Sequence, residues 1–221
     1  MTHLEEELIS LKKSVIKMCE LAIGQLKKAK MAYLNWDVGL AHDIIHNEKR
    51  MNAMELGIDE DCENIFALFN PVATDLRLVI AILKINSDLE RIGDYADGIA
   101  DYVIDFHRAP GEELIKNTKL SEMFDIAIGM TEDIMVAIEN EDLNLARKVY
   151  LMDAELNKIN VNSSIAISEM VLKNPELIRQ ALFIFSTIRK IERVGDHVKN
   201  IAEDLIFYAE AEVLKHTDKL E

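Results

Sequence analysis

The residues best suited to chemistry in this 221-residue chain are carboxylates at helical spacing. Glu90, Asp94, Asp97 and Asp101 stand at i, i+4, i+7 and i+11. On a 3.6-residue period these four share one helix face over about three turns. Like charges four residues apart each cost a few tenths of a kcal/mol on a bare helix, a repulsion that bound cations would relieve. Oxygen ligands at this density suit magnesium, calcium, manganese or iron rather than a thiolate-seeking ion. An acidic stripe is most often a solvated face, and with 40 Asp and Glu residues a single pair means nothing. Here the spacing recurs. Glu48, Asn52, Glu55 and Asp59 follow the same i, i+4, i+7, i+11 pattern upstream, and Glu192, Asp196 and Glu203 repeat most of it downstream. Two oxygen-rich stripes on neighbouring helices could line one elongated surface for several metal ions.

The elements that must hold these stripes are long helices. Leu4, Leu8, Leu11, Val15, Met18, Ala22, Leu26 and Ala29 recur every three or four residues, one apolar stripe on a helix running to about Leu34. Thr2 with Glu5 makes a capping box at its start. Asn35-Trp36-Asp37 reads as a turn with an N-cap, and the pattern resumes from Leu40 through Ile44, Met51, Met54, Ile58 and Ile65 to Leu68, stopping before Asn70-Pro71. A third helix fits Thr74 to about Phe106, with Leu76, Val79, Leu83, Leu89, Ile92, Ile99 and Val103 apolar. Each would span roughly 45–50 Å. His107-Arg108-Ala109-Pro110-Gly111 is the one stretch with linker character. Beyond it the plan repeats over Leu114–Glu139, Asp142–Leu172 and Asn174–Ala211, with Asn174-Pro175-Glu176 reading as N-cap, first-position proline and first-turn acid.

The second half is a copy of the first. Leu89-Glu90-Arg91-Ile92-Gly93-Asp94 and Ile191-Glu192-Arg193-Val194-Gly195-Asp196 lie 102 residues apart, and the same offset pairs Arg77 with Arg179, Ile82 with Ile184 and Ile99 with Ile201. The expected fold is therefore all-α, with two tandem homologous three-helix bundles built from six long helices, over residues 1–108 and 112–221. The copy is imperfect at the acids. Lys199 replaces the third carboxylate, and the partner stripe of the fifth helix is Asp153, Asn157 and Asn160. Fewer charges bind cations less tightly, so the second site should be weaker or empty. Gly93 and Gly195 each cost about 1 kcal/mol in a helix interior. Either tight helix packing or close approach of a neighbour to the acids accounts for them.

Composition removes several function classes. Only 8 Gly and 3 Pro argue against an all-β chain. The formal charge of −15 repels nucleic acid and anionic lipid heads. No uninterrupted apolar run approaches the roughly 18 residues of a membrane span. The acidic start, Met1 to Glu7, lacks the marks of a secretory signal. Cys19 and Cys62 sit inside helical patterns and read as small buried hydrophobes of a reduced, cytoplasmic protein.

At the acid stripes the sequence resembles the PhoU family. Met54 to Cys62, Thr74 to Val79, Asp88 to Asp97 and the copy from Ser186 to Ile201 carry the likeness. The resemblance implies a cytoplasmic protein of two three-helix bundles, often a dimer, that represses phosphate uptake and the phosphate-starvation response. It implies two partners, the ATPase of a phosphate ABC transporter and a sensor histidine kinase. It also implies divalent or trivalent metal ions (iron, manganese, magnesium or zinc) held by E/D-x-x-x-D motifs. Carried over by position, the ligands are Glu90, Asp94, Asp97 and Asp101 with Glu48, Glu55 and Asp59 opposite, and Glu192, Asp196 and Glu203 with Asp153 in the second half. Lys199, Asn157 and Asn160 stand where that second set departs from the pattern.

Other constellations offer less. His42 and His46 have ligand spacing at i, i+4 but no H-E-x-x-H motif. No Glu has a His three residues later, which a ferritin-like di-iron site needs. Phosphate-binding glycine loops and the G-x-S-x-G elbow are absent. Trp36 beside Tyr33 reads as a hydrophobic staple or part of a partner surface. Arg77, Arg179, Arg91 and Arg193 are expected to make structural pairs. The reading is a non-enzymatic regulator. A metal-dependent phosphoryl-transfer enzyme built on the carboxylates is the alternative, and a helical scaffold with solvated acids is the third.

Overall fold

The computed structural model describes residues 2–106 and 109–211, and these are helical almost throughout. The first helix, α1, spans His3–Asn35. Its capping box forms as expected: Thr2 Oγ1 accepts from the Glu5 N–H at 3.3 Å and Glu5 Oε2 from the Thr2 N–H at 2.7 Å. α2 spans Val38–Phe69, opened by Asp37, whose Oδ1 accepts from the Leu40 N–H at 3.0 Å. It ends at Asn70 in the left-handed conformation, ahead of Pro71. α3 spans Ala73–Asp105. A short α4, Glu112–Asn117, precedes α5, Leu120–Asn140. α6 spans Leu143–Lys173 and α7 spans Ile178–Glu210.

Three features differ from the sequence pattern. Leu114–Glu139 does not run unbroken, because Lys119 adopts φ 55° and separates α4 from α5. Thr118 fills the break, its hydroxyl donating to the Leu114 carbonyl at 2.7 Å; a side chain bonding back to the preceding turn competes with the helical ladder. Asn174 caps the Glu176 N–H at 3.2 Å as expected, but Pro175–Leu177 form a 3-10 turn before α7 begins. Leu68 and Leu76, placed on apolar stripes by spacing, are exposed at the corner between α2 and α3. His107 and Arg108 of the expected linker lie outside the described residues, as do 212–221 of the second repeat.

The apolar stripes dictate the packing. Leu11, Val15, Met18, Ala22 and Leu26 of α1, Ile44, Met51, Ile58 and Ile65 of α2 and Val79, Leu89, Ile92 and Ile99 of α3 are buried in one core. Each such side chain larger than alanine contributes about 1.5–3 kcal/mol of burial. α5, α6 and α7 pack together likewise. α3 then lies along α7, and α1 along α5. Both pairings are antiparallel: Lys84 of α3 meets Asp204 of α7 at 2.9 Å, while Tyr102 Oη sits 2.6 Å from Ser186 Oγ. Lys12 meets Glu141 at 2.8 Å, and Lys30 meets Asp125.

Matched residues of the two repeats tie the ends of this seam. Arg77 Nε donates to the Tyr208 carbonyl at 3.1 Å, and its counterpart Arg179 lies over the Phe106 ring at 5.3 Å. Trp36, at the α1–α2 corner, packs edge-on to Tyr33 and to Phe106. Cys19 and Cys62 are buried and free, and burial pushes both thiols up to about 12. No described helix is long and apolar enough to cross a membrane.

Candidate metal centre

The groove between α2 and α3 brings the first set of carboxylates into one electrostatic neighbourhood. Asn86, fully buried on α3, fixes the register: its Nδ2 donates to the Glu55 carbonyl and to Asp59 Oδ1, both at 2.9 Å. With the helices locked there, Glu55 and Asp59 face Glu90 and Asp94. Glu55 is held above the usual carboxylate range by burial, then by Asp59. Glu90 is raised by burial, then by Asp94, Glu55 and Glu48, against the lowering pull of Arg91. Asp97 is pushed up to about 6 by burial and by the charges of Asp101, Glu48 and Asp94, with Lys190 of α7 opposing. The seven acids of the first set thus form a line of neighbours along the two helices, with Asp59 beside Glu55 at one end and Asp101 beside Asp97 at the other.

Close packing makes this possible. A Cβ on Gly93 would meet Met51 Sδ at 2.5 Å, so glycine lets α2 approach α3 beside Glu90 and Asp94. Two cradle groups compensate the charge in part: Arg91 Nη1 pairs with Asp94 Oδ2 at 3.0 Å, and the Asn52 amide donates to Glu48 Oε1. Among the described residues no three His, Cys, Asp or Glu side chains converge into a ready-made metal shell. The donor chemistry nevertheless fits a hard cation. Asp97 Oδ1, Asn52 Oδ1 and Asn86 Oδ1 are buried acceptors with no hydrogen-bond partner among the described residues, and buried acceptors left unmet are costly. Carboxylate and amide oxygens are the ligands such ions take.

The second groove, between α6 and α7, is built alike and charged differently. The Asn157 amide donates to Asp153 Oδ2 at 2.9 Å, as Asn52 does to Glu48. Arg193 pairs with Asp196 at 3.0 Å, as Arg91 does with Asp94. A Cβ on Gly195 would meet Leu156 at 2.3 Å and Asp153 Oδ1 at 3.3 Å. Glu192 is nearly buried and raised by burial, then by Asp196, with Arg189 and Arg193 lowering it and Asp153 adding to the rise. Glu203 lies half-buried two turns beyond Asp196 on α7. Lys199 reaches Asp153 Oδ2 at 3.4 Å, where the first repeat has the acid Asp97.

A helical duplication with acid-lined grooves in both halves can be compared with known proteins. The PhoU domain model matches this chain twice, over residues 15–103 and 120–205. The chain belongs to the PhoU family. The PhoU accessory protein of the phosphate-specific transport system of Edwardsiella tarda is 31% identical over 210 residues, covering 95% of this chain and 86% of that protein. The PhoU homolog of Aquifex aeolicus is 33% identical over 211 residues, covering 96% and 95%. The crystal structure of PhoU from Pseudomonas aeruginosa superposes with a TM-score of 0.90 at 29% identity, over 95% of this chain and 100% of that one. The phosphate transport system regulatory protein PhoU of Streptococcus pneumoniae gives 0.85 at 27% identity, over 96% and 99%.

Within this PhoU fold, two participants escaped the sequence pattern. Asn86 continues the stripe one turn before Glu90, at i−4, and spacing would have found it had amides been counted with acids. Lys190 comes from the other repeat, and its Nζ lies 2.6 Å from where a Cβ on Gly98 would be. No local signal betrays that contact. His42 and His46 are exposed on α2, away from the buried face.

Proposed function

We propose that this chain is an accessory regulator of phosphate transport, repressing uptake and the phosphate-starvation response through metal ions held on its α2–α3 face. The partners implied are the ATPase of a phosphate ABC transporter and a sensor histidine kinase, met in the cytoplasm by a homodimer. Relatives named as accessory or regulatory proteins of phosphate transport align with nearly the whole chain, both repeats included, which supports the regulatory half of this reading. The observation that carries the metal half is the surplus of charge along the first groove, where Asp97 is crowded by Asp101, Glu48 and Asp94 and the buried oxygens of Asn52, Asn86 and Asp97 are unmet.

Glu48, Glu55, Glu90, Asp94 and Asp97 would hold the ions, with Asp59 and Asp101 at the ends of the groove. Iron, manganese, magnesium and zinc are the candidates. A bound ion would supply positive charge that cancels the mutual repulsion of these acids. The protein's own part is geometric: Asn86 holds the register, Gly93 permits the approach, and Arg91 orients Asp94. The surface offered to a partner would then change from strongly acidic to nearly neutral as the groove fills.

The test is a pull-down from phosphate-replete cells alongside a starvation-response reporter. Wild type should capture transporter or kinase and silence the reporter, and Glu90→Ala/Asp94→Ala should lose both. Equal capture and repression by the variant would overturn the metal half. Manganese-dependent phosphate-ester hydrolysis abolished by the same changes would favour the phosphoryl-transfer alternative.

A further inference from the structure

Constant offsets match the residues of the two grooves. An offset of 105 relates α2 to α6, setting Glu48 on Asp153, Met51 on Leu156, Asn52 on Asn157 and Glu55 on Asn160, and the offset of 102 sets Asp97 on Lys199. The equivalence holds in three dimensions, since Gly93 faces Met51 as Gly195 faces Leu156. At one point the chemistry inverts. The acid pair Glu48 and Asp97 of the first groove becomes the ion pair Asp153 and Lys199 of the second, at 3.4 Å.

We propose that the Lys199 ammonium is the resident cation of the second groove, occupying by covalent attachment the place a metal ion takes in the first. Divalent ions then load the α2–α3 groove and leave the α6–α7 groove empty. This rests on the metal reading of the first groove.

The seat of Lys199 is built for a cation. Asp153 is almost fully buried, and its Oδ2 receives both Lys199 and the Asn157 amide. The ammonium also lies over the Tyr150 ring, 4.8 Å from its centre, where the π face attracts positive charge. The first repeat has Ile45 at that position. Charge bookkeeping agrees. The second groove sets Lys199, Arg189 and Arg193 against four acids, Asp153, Glu192, Asp196 and Glu203, whereas the seven acids of the first have Arg91 beside Glu90 and Asp94 and Lys190 near Asp97. Asp153 Oδ1 and Glu192 Oε2 remain buried without hydrogen-bond partners. They are the oxygens a metal would use once the ammonium is gone.

Equilibrium dialysis of the metal-free full chain against Mn²⁺, followed by metal analysis, tests this. Asp94→Asn/Asp97→Asn should lose the bound Mn²⁺. Adding Lys199→Asp to that variant should restore binding, and Asp153→Asn should abolish it again. Mn²⁺ retained by Asp94→Asn/Asp97→Asn and released on Asp153→Asn would overturn the proposal, because the second groove would then bind metal with the lysine in place. Failure of Lys199→Asp to restore binding would overturn it too. If the wild type binds no Mn²⁺ at all, the first-groove reading fails by itself, and melting of the metal-free protein judges Lys199. Lys199→Met should then lower Tm by about 2–4 °C, and Lys199→Met/Asp153→Asn should lower it by less than the two single changes summed. An unchanged Tm, or strict additivity, would count against a resident cation.

Discussion

The α2–α3 groove and the α6–α7 groove share a backbone plan and part company in charge. Both have an arginine pairing with the acid three residues on, an asparagine clasping the first acid of the partner helix, and a glycine that lets the helices touch. The first accumulates acids until Asp97 is pushed up to about 6. The second meets its acids with lysine and arginine from its own helix α7. The two repeats thus share the cradle and differ in where its counter-charge comes from.

The sharpest way to break this comparison is thermal melting with and without Mn²⁺. A ligand at a hundredfold excess over Kd stabilises by about 2.7 kcal/mol, which for a chain of this size raises Tm by roughly 5–10 °C. Glu90→Ala/Asp94→Ala should abolish the rise, while Asp153→Asn should leave it intact. An equal response from both grooves would erase the distinction.

Next in size are the glycines. Gly195→Ala drives a methyl against Leu156, which is fully buried. Overpacking costs typically 1–3 kcal/mol and the gain in helix propensity returns about 1, so denaturant unfolding should show a net loss of about 1 kcal/mol. Gly93→Ala meets the far end of Met51, a flexible thioether, and should be closer to neutral. The reverse order would mean that the first groove is the more tightly closed.

Arg77→Ala removes a charged donor from the Tyr208 carbonyl and should cost about 1 kcal/mol. Arg179→Ala loses only a ring contact, worth about 0.5 kcal/mol at such a site. The smallest effect is that of pH on the metal-free protein, because charges that face water are screened. Asp97 binds its proton more tightly folded than unfolded, so between the ordinary carboxylate range and about 6 the native state holds more protons. Stability from this group is therefore present at low pH and lost as pH rises through about 6. Asp97→Asn should flatten the decline in Tm between about pH 4 and pH 6. With Mn²⁺ present the slope should reverse, since the ion needs the ionised acid.

Much of this was legible in the chain itself. The 3.6-residue stripes and the Thr2, Asp37 and Asn174 caps marked the long helices, because such signals act within a few residues. The break at Thr118-Lys119 was not legible, since the apolar pattern runs across it and only a left-handed backbone at a non-glycine residue ends α4.

The sequence by itself determined the duplication, the helix faces on which the acids lie, and the substitution of Lys199 for an acid, because each follows from local periodicity or a constant offset. The tertiary structure alone decided which stripes face one another, that Asn86 locks their register, that Lys190 crosses from the other repeat, and that Lys199 seats on Asp153 and Tyr150. Periodicity determines which way a side chain points from its own helix. What it meets depends on the rotation and height of a second helix, and those are set by the packing of the whole core.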